Sequence, residues 1–363
     1  MLALVAALLL VTSSRQACTG RGAGGVCLAR ASPAEVAGKQ EEIEGTQVVW
    51  ALPAAPVPPK GLLLAFHGCG HAATDWFPRS DSCKDCIGLP EEVAIARAAL
   101  GRGYAVVALS SRDRSFSRCW AVPHHRDAPS ADIHSVSAVL AALLPREGLG
   151  GLPLYALGAS AGGAFVLTLP AYLPLKGVCA QIMGLPADWY AGFLPQQQAQ
   201  QEEDGADPEV AGGNAHANAA APVLFVHMPR DTHTAALVAE DVELRKGRGL
   251  VSATLEVQPQ AVTAAFLAGH MPELAAGGAA QQLADLLKQQ GLLDAQGLLL
   301  HDPRGSAWRR VVTSSSIPGA SSWSLAPDKS GLPELLNVAW AGHEIVSDTT
   351  AAMLDFFEQQ PTQ

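Results

Sequence analysis

From about residue 47 onward, short apolar runs alternate with segments in which apolar residues recur at helical spacing. The runs are bounded by Gly and Pro and predict strands at VVWAL, GLLLAFHG, YAVVALSS, PLYALGAS, GVCAQIMGLP, APVLFVHMP and SATLEVQP. The other segments predict helices at LPEEVAIARAALGRG, SADIHSVSAVLAALLPREG, AGGAFVLTLPAYL and HTAALVAEDVELRKGRG. Strands that are apolar almost throughout and separated by helices indicate an α/β fold, a mostly parallel central sheet covered by helices on both faces.

Two segments interrupt this alternation and predict insertions. Residues 185–220 are rich in Gln, Ala, Gly and acidic residues, which predicts a flexible insertion. Residues 261–340 contain one amphipathic helix, AAQQLADLLKQQG, and a polar stretch with tryptophans. We therefore expect a signal peptide at 1–17, an N-terminal segment at 18–44, and one α/β domain at 45–363 that carries both insertions.

The first residues form a short apolar segment. Leu2–Val11 is too short to span a bilayer core, which needs about 20 helical residues. It suits the apolar region of a secretory signal, followed by small residues at which cleavage could occur. The sequence therefore predicts secretion, or residence in the secretory-pathway lumen, and no stable membrane insertion after the signal is removed.

The seven cysteines would mostly pair in a secreted chain. For the closely spaced Cys83 and Cys86 we expect disulfides to Cys69 or Cys119. A zinc site would need a second Cys/His pair at matching spacing, and we predict no metal. The odd total leaves at least one thiol unpaired within the chain, and Cys179, inside an apolar run, is the best buried candidate.

Composition and charge narrow the class of partner. Hydrophobic residues make up 48% of the chain and charged residues 16%, as in a globular protein with a large core. With 24 basic and 34 acidic residues the formal net charge is −10. Phosphate binding needs clustered Lys and Arg, so a nucleic-acid partner is excluded.

The segment Gly158-Ala159-Ser160-Ala161-Gly162 has the pattern G-x-S-x-G between a predicted strand and a predicted helix. A serine at the tip of such a turn sits in a strained backbone conformation, so its neighbours must be small. Its hydroxyl is then exposed as a nucleophile, and the amide of Ala161 faces an oxygen that develops negative charge. The alternative is a simple small-residue turn.

A second oxyanion amide is expected from the segment LLLAFHGCGH. The His-Gly pair that ends an early strand resembles the segment that supplies the other oxyanion amide in α/β-hydrolases, and this resemblance implies that the amide here is that of Cys69. We expect His67 to form local hydrogen bonds that support this loop rather than to act as a base.

The acid and the base of a catalytic triad must follow the serine along the chain in this fold. Asp231 lies just past an apolar strand and before a helix, which suits a carboxylate that orients an imidazole, although it could also be only a helix N-cap. His343 precedes the last amphipathic helix and is the favoured base. His270, which follows the last predicted strand, is the alternative.

These motifs, HG, GASAG, the Asp after a strand and a late Gly-His, resemble the α/β-hydrolase superfamily over about residues 45–360. The chain resembles more narrowly a poorly characterised group of plant and algal α/β-hydrolases, in the segments HGCGH, SCKDCIGLPEE, FVHMPRD, LLHDPRG and AWAGHE. The late HE pattern of that group adds weight to His343. HGC with GASAGG is also similar to secreted esterases of the polyhydroxyalkanoate depolymerase and feruloyl esterase type.

Together these observations predict a serine hydrolase that cleaves a small-molecule carboxylic ester through an acyl-enzyme, without a metal or organic cofactor. Ser160, His343 and Asp231 are the expected triad, and the amides of Cys69 and Ala161 the expected oxyanion hole. A peptidase or amidase could use the same triad, and a non-catalytic binding protein could use the same scaffold.

Overall fold

The computed structural model describes residues 37–56, 58–195 and 218–360. Its strands are β1 (Lys39–Ile43), β2 (Thr46–Ala51), β3 (Gly61–Phe66), β4 (Tyr104–Leu109), β5 (Leu154–Ala159), β6 (Leu175–Gln181), β7 (Val223–His227) and β8 (Ser252–Glu256). Its helices are α1 (Pro90–Gly101), α2 (Ala131–Arg146), α3 (Ala161–Thr168), α4 (Ala187–Ala191), α5 (Thr232–Gly247), α6 (Ala264–His270), α7 (Ala279–Gln289), α8 (Trp308–Thr313), α9 (Gly331–Trp340) and α10 (Thr350–Glu358).

The strands form one sheet of eight in the order β1-β2-β4-β3-β5-β6-β7-β8. β1 and β2 run antiparallel to their neighbours, and the strands from β4 to β8 are mutually parallel. This strand order, with an antiparallel second strand, is that of the α/β-hydrolase fold, so the predicted fold class is confirmed. The carboxyl ends of the parallel strands share one edge, where ligands of open α/β sheets bind.

Each sheet face packs against its own helices, because successive side chains of a strand point to opposite faces. In β3, Leu62, Leu64 and Phe66 join the core on the side of α2 and α5. Leu63 and Ala65 join the core on the side of α1 and α10. All five side chains are completely buried, which accounts for the uninterrupted apolar run in the sequence.

The predicted insertion at 261–340 contains more structure than its sequence indicates. The expected amphipathic helix is α7, but α6, α8 and α9 accompany it and enclose a third apolar cluster that includes Leu283, Trp308 and Leu336. The polar, tryptophan-containing stretch thus supplies a buried side chain, since Trp308 has no exposed surface. The apolar run that precedes His343 is the end of helix α9.

The sheet begins before residue 45, because β1 pairs with β2 along its whole length. The predicted signal peptide at 1–17 and most of the segment 18–44 lie outside the described residues. Of the predicted insertion 185–220, the structure describes the two ends, including α4, and residues 196–217 lie outside it. Within the described ranges, no helix is long and apolar enough to cross a membrane.

Two disulfides are present among the described residues, Cys69–Cys119 and Cys83–Cys86. The expectation that Cys83 and Cys86 bond to Cys69 or Cys119 is therefore wrong. Cys83 and Cys86 are three residues apart and bond to each other, with a Cα–Cα distance of 5.4 Å. Cys179 is free and buried, as predicted. Two disulfides are compatible with an oxidising compartment, and secretion itself stays a prediction.

Candidate active site

Ser160 occupies a sharp turn between β5 and α3. Its backbone is in the left-handed region, with φ 52° and ψ −117°, an uncommon conformation for a residue with a side chain. A Cβ on Gly158 would lie 2.1 Å from the carbonyl oxygen of Gly162, and one on Gly162 would lie 2.3 Å from that of Phe66. Only glycine fits at these two positions, so the G-x-S-x-G pattern is a steric requirement of this turn.

The structure brings Ser160, His343 and Asp231 together at the carboxyl edge of the sheet. His343 Nε2 lies 2.9 Å from Ser160 Oγ, and His343 Nδ1 is hydrogen-bonded to Asp231 Oδ2. The serine follows β5, the aspartate follows β7, and the histidine lies between α9 and α10. Since one imidazole bridges a hydroxyl and a carboxylate, it can take a proton from the serine while the carboxylate fixes its orientation.

Asp231 has both of the roles that its sequence position allows. Oδ1 accepts a hydrogen bond from the Thr234 amide at 3.2 Å, which caps α5, and Oδ2 faces His343. Burial acts to raise the pKa of this carboxyl, but the hydrogen bonds from His343 and Thr234 outweigh it and lower the pKa below its usual value. The carboxylate is thus held ionised beside the imidazole.

His270, the alternative base, is engaged elsewhere. Its Nδ1 lies 2.6 Å from Glu91 Oε1 on helix α1, and its Nε2 lies 4.0 Å from Asp348 Oδ1. The hydrogen bond to Glu91 raises the pKa of His270 against the opposing effect of burial. This histidine joins α6 to α1, and no contact connects it to Ser160.

The loop at residues 67–71 lies beside the serine. A Cβ on Gly68 would come 3.6 Å from Ser160 Cβ, and Cys69 lines the same cavity as Ser160. Ala161 is the first residue of α3, and the amides of a helix's first turn have no partner within the helix. The backbone thus offers an amide donor on each side of the serine.

His67 supports this loop through local hydrogen bonds. Its Nδ1 lies 2.6 Å from the Gly68 carbonyl oxygen, and its Nε2 accepts a hydrogen bond from the Ser111 amide at 3.1 Å. Burial lowers the pKa of His67 to about 3, so the ring is neutral. A neutral, completely buried imidazole with both nitrogens bonded is a structural residue here.

The cavity beside Ser160 has a volume of about 230 Å³. Besides Ser160 and His343 its lining includes four residues that lie within the sequence motifs quoted above, His71, Glu92, Arg304 and Glu344, and three that do not, Ile182, Asp328 and Ile345. Ile182 directly follows β6 and has a positive φ of 47°, which is a clear outlier for a β-branched residue. Strained backbone therefore occurs on two sides of the cavity, at Ser160 and at Ile182.

The loop that carries His343 is fixed by its neighbours on several sides. Arg304, from the insertion, donates a hydrogen bond to the carbonyl oxygen of His343 and lies 3.2 Å from Glu344 Oε2. Further along, the Val346 amide and carbonyl both bond to the side chain of Gln181, at 2.9 and 3.0 Å. The backbone that carries the His343 imidazole is thus held by the insertion on one side and by the sheet on the other.

In the described ranges, no group of three or more His, Cys, Asp or Glu side chains is arranged to hold a metal ion. With the contacts described above, Ser160 can serve as a nucleophile, His343 as its base and Asp231 as the carboxylate that orients the imidazole.

Comparison with known proteins yields similarities of structure only. No protein-family model and no curated protein matches the chain. Among solved structures, it is similar to a serine hydrolase from Xanthomonas campestris (14% identity, 63% of this chain and 86% of that one, TM-score 0.36). It is also similar to a poly(3-hydroxybutyrate) depolymerase from Bordetella parapertussis (16%, 61% and 83%, 0.39). A third similar structure is an esterase from Pyrococcus furiosus (14%, 70% and 93%, 0.38). Because the identities and scores are low, the reactions of these proteins are not transferred to this chain.

Proposed function

We propose that this chain is a serine hydrolase that cleaves carboxylic esters through an acyl-enzyme, as the resemblance to α/β-hydrolases implies. The observation that carries the proposal is the hydrogen-bonded line from Ser160 through His343 to Asp231, built on a strained turn at the ligand-binding edge of the sheet. A serine held in such a turn exposes its hydroxyl, and strain of this kind is concentrated at functional sites. The likeness to the plant and algal group remains part of the proposal and brings no substrate with it.

In the proposed reaction, Ser160 Oγ attacks the ester carbonyl carbon while its proton passes to His343 Nε2. The carbonyl oxygen becomes an oxyanion that accepts hydrogen bonds from the amides of Ala161 and Cys69. His343 then gives the proton to the departing alcohol, and the acyl-enzyme is hydrolysed by water that His343 activates in the same way. Asp231 keeps Nε2 facing the serine and stabilises the imidazolium.

The first prediction is that Ser160→Ala lowers kcat toward p-nitrophenyl acetate by roughly 10⁴–10⁶-fold, because the nucleophile acts as one unit with its base. Thermal unfolding of the variant would show that it stays folded. A fluorophosphonate probe, which labels activated serines, would modify Ser160 in the wild type and leave the variant unlabelled.

Three further variants serve as controls for this prediction. Ser321→Ala removes an exposed hydroxyl that does not line the cavity beside Ser160 and would leave kcat unchanged. His343→Gln would lower kcat about as much as Ser160→Ala, whereas His270→Gln would keep the reaction. A Ser160→Ala enzyme as active as the wild type would refute the proposal. A folded wild type that no probe labels would support a binding protein instead.

A further inference from the structure

The wall of the cavity beside the triad carries ionisable side chains of both signs. His71, Glu92 and Glu344 line it together with Arg304 and Asp328 from the insertion. Its larger apolar side chains are those of Ile182 and Ile345. An ester whose acyl and alkyl parts carry no polar substituent would displace water from these charged side chains. It would offer no hydrogen bonds in place of those that the water made, which is unfavourable.

Asp328 offers a free acceptor at the edge of this cavity. Within residues 37–56, 58–195 and 218–360, its carboxylate has no hydrogen-bond or ion-pair partner. Its Oδ2 lies 3.8 Å from the point where a Cβ on Gly70 would sit, so the carboxylate reaches over the loop that carries Cys69. The backbone of Asp328 is in the left-handed region, with φ 55°.

His71 offers a donor on the same loop. Its Nδ1 bonds to Asp75 Oδ2 at 3.0 Å. A Cβ built on Gly68 would lie 3.9 Å from His71 Cδ2 and 3.6 Å from Ser160 Cβ. The ring edge that carries Cδ2 and Nε2 is thus on the side of the serine. Burial acts to lower the pKa of His71, but Asp75 and the charge of Glu92 outweigh it and raise the pKa to about 9. Near neutral pH the ring is an imidazolium, and Nε2 carries a proton to donate.

Arg304 supplies further donors from the insertion. Its Nη2 is used by the His343 carbonyl oxygen and by Glu344. A guanidinium has five N–H groups, and the remaining ones have no partner in the described part of the chain. The side chain is 41% exposed, so these groups are open to a molecule that enters the cavity.

Groups of both signs line this cavity, and this limits which polar group of a substrate can bond to them. A carboxylate would meet Arg304 and His71 but would be repelled by Asp328 and Glu344. An ammonium group would meet the carboxylates but would be repelled by the two cations. A hydroxyl group donates one hydrogen bond and accepts others, so neighbouring hydroxyls can bond to Asp328 on one side and to the cations on the other.

We propose that this cavity selects esters with a hydroxylated portion, a polyol or saccharide, whose hydroxyl groups bond to Asp328, His71 and Arg304. The inference rests on the proposed esterase function and assigns its substrate class. The hydroxyl groups can belong to the alcohol or to the acyl part of the ester, and the experiment distinguishes the two.

The test compares two pairs of esters with equal carbon skeletons. The alcohol pair is 2,3-dihydroxypropyl acetate and propyl acetate, and the acyl pair is methyl 2,3-dihydroxybutanoate and methyl butanoate. Each kcat/KM is divided by the rate constant for alkaline hydrolysis of the same ester, which removes differences in intrinsic reactivity. We expect the hydroxylated member of one pair to be preferred at least about tenfold, since hydrogen bonds to charged groups are involved.

The variant Asp328→Asn would reduce this preference about tenfold, and His71→Gln would also reduce it. Asp81→Asn, which changes an exposed carboxylate outside the cavity lining, would leave it unchanged. If propyl acetate and methyl butanoate are hydrolysed as fast as their hydroxylated partners, the inference is overturned and the esterase proposal is left intact. A preference that survives both Asp328→Asn and His71→Gln would also overturn it. No hydrolysis of any of the four esters would overturn both.

Discussion

Gly162 has no room for a side chain, because its Cα faces the backbone carbonyls of Phe66 and His67 at the end of β3. A Cβ there would lie 2.3 and 2.6 Å from these two oxygens. We expect Gly162→Ala to destabilise the protein by about 1–3 kcal/mol, since backbone atoms cannot move aside as a flexible side chain does. Its kcat toward p-nitrophenyl acetate would also fall, because α3 and the loop after β3 are pushed apart.

Urea unfolding and steady-state kinetics check this prediction. Gly150→Ala is the matched control, since a Cβ at Gly150 would meet nothing within 4 Å. Equal unfolding midpoints for Gly162→Ala and Gly150→Ala would contradict the steric argument.

The site residues differ in how far the sequence around them reveals their role. Ser160 was predicted because its local neighbours must be small, and Asp231 and His343 because of their order and their places after a strand and before a helix. Arg304 and Asp328 have no such local requirement. They reach the cavity only because the insertion folds back over the sheet, and that contact is not encoded by the residues next to them.

The loop at 67–71 is tied to the loop that follows β4. The disulfide joins Cys69 to Cys119, the Gly70 amide donates to the Ser117 carbonyl at 3.0 Å, and the Trp120 ring donates to the His67 carbonyl at 3.0 Å. We expect Cys119→Ser to lower kcat about tenfold, because the amide of Cys69 is then less fixed, while a donor to the oxyanion contributes on the order of 10²–10³ when fully in place. KM would change less.

The measurement is steady-state kinetics with p-nitrophenyl acetate. A mild reductant is present, so that the free Cys69 thiol of the variant does not form a disulfide between two protein molecules. The double variant Cys83→Ser/Cys86→Ser removes the other disulfide, whose cysteines do not line the cavity, and would keep kcat. Equal losses of kcat in Cys119→Ser and in the double variant would mean that the Cys69–Cys119 disulfide affects the site no more than the Cys83–Cys86 disulfide does.

At the scale of elements, burial on both faces made the strands predictable. β2 to β7 are read from almost continuous apolar runs, since helices cover both sides of the sheet. β1 was missed because KQEEI is a polar edge strand in which only Ile43 is buried. The insertion helices α6 and α8 were missed because they have seven and six residues, too few to show a helical period.

The insertion and the sheet domain meet through buried acidic groups at the start of α1. Glu91 Oε2 accepts a hydrogen bond from the Ser347 amide at 2.6 Å. Its Oε1 lies 2.6 Å from Nδ1 of His270 in the insertion. Glu92 and Glu334 of α9 are both almost completely buried and lie next to each other. Burial raises the pKa of Glu92 to about 7 and raises that of Glu334 well above its usual value. At least one proton is thus shared between the two carboxyls near neutral pH, and this junction joins the parts of the molecule that form the cavity.

This junction makes the stability of the whole molecule depend on pH. A carboxyl whose pKa is raised by folding binds its proton more tightly in the folded chain, so the free energy of unfolding falls as the pH rises between the two pKa values. For Glu92 that window extends from its ordinary value of 4.5 to about 7. Glu92→Gln keeps a side-chain oxygen that accepts a hydrogen bond from the Glu334 carboxyl, but it cannot ionise. Wild type and variant would therefore be closest in stability near pH 5, and the variant would be the more stable of the two near pH 8, by an amount on the order of 1–3 kcal/mol.

Urea unfolding of the two proteins between pH 5 and pH 8 measures this difference directly. Glu42→Gln, at an exposed glutamate of β1, corrects for the loss of one negative charge from the surface and would show no pH-dependent difference from the wild type. A gap between wild type and Glu92→Gln that stays constant over this range would mean that Glu92 has the same pKa in the folded and unfolded chain. In that case the junction would be held by hydrogen bonds and packing alone, and the proton shared between α1 and α9 would contribute nothing to holding the insertion over the cavity.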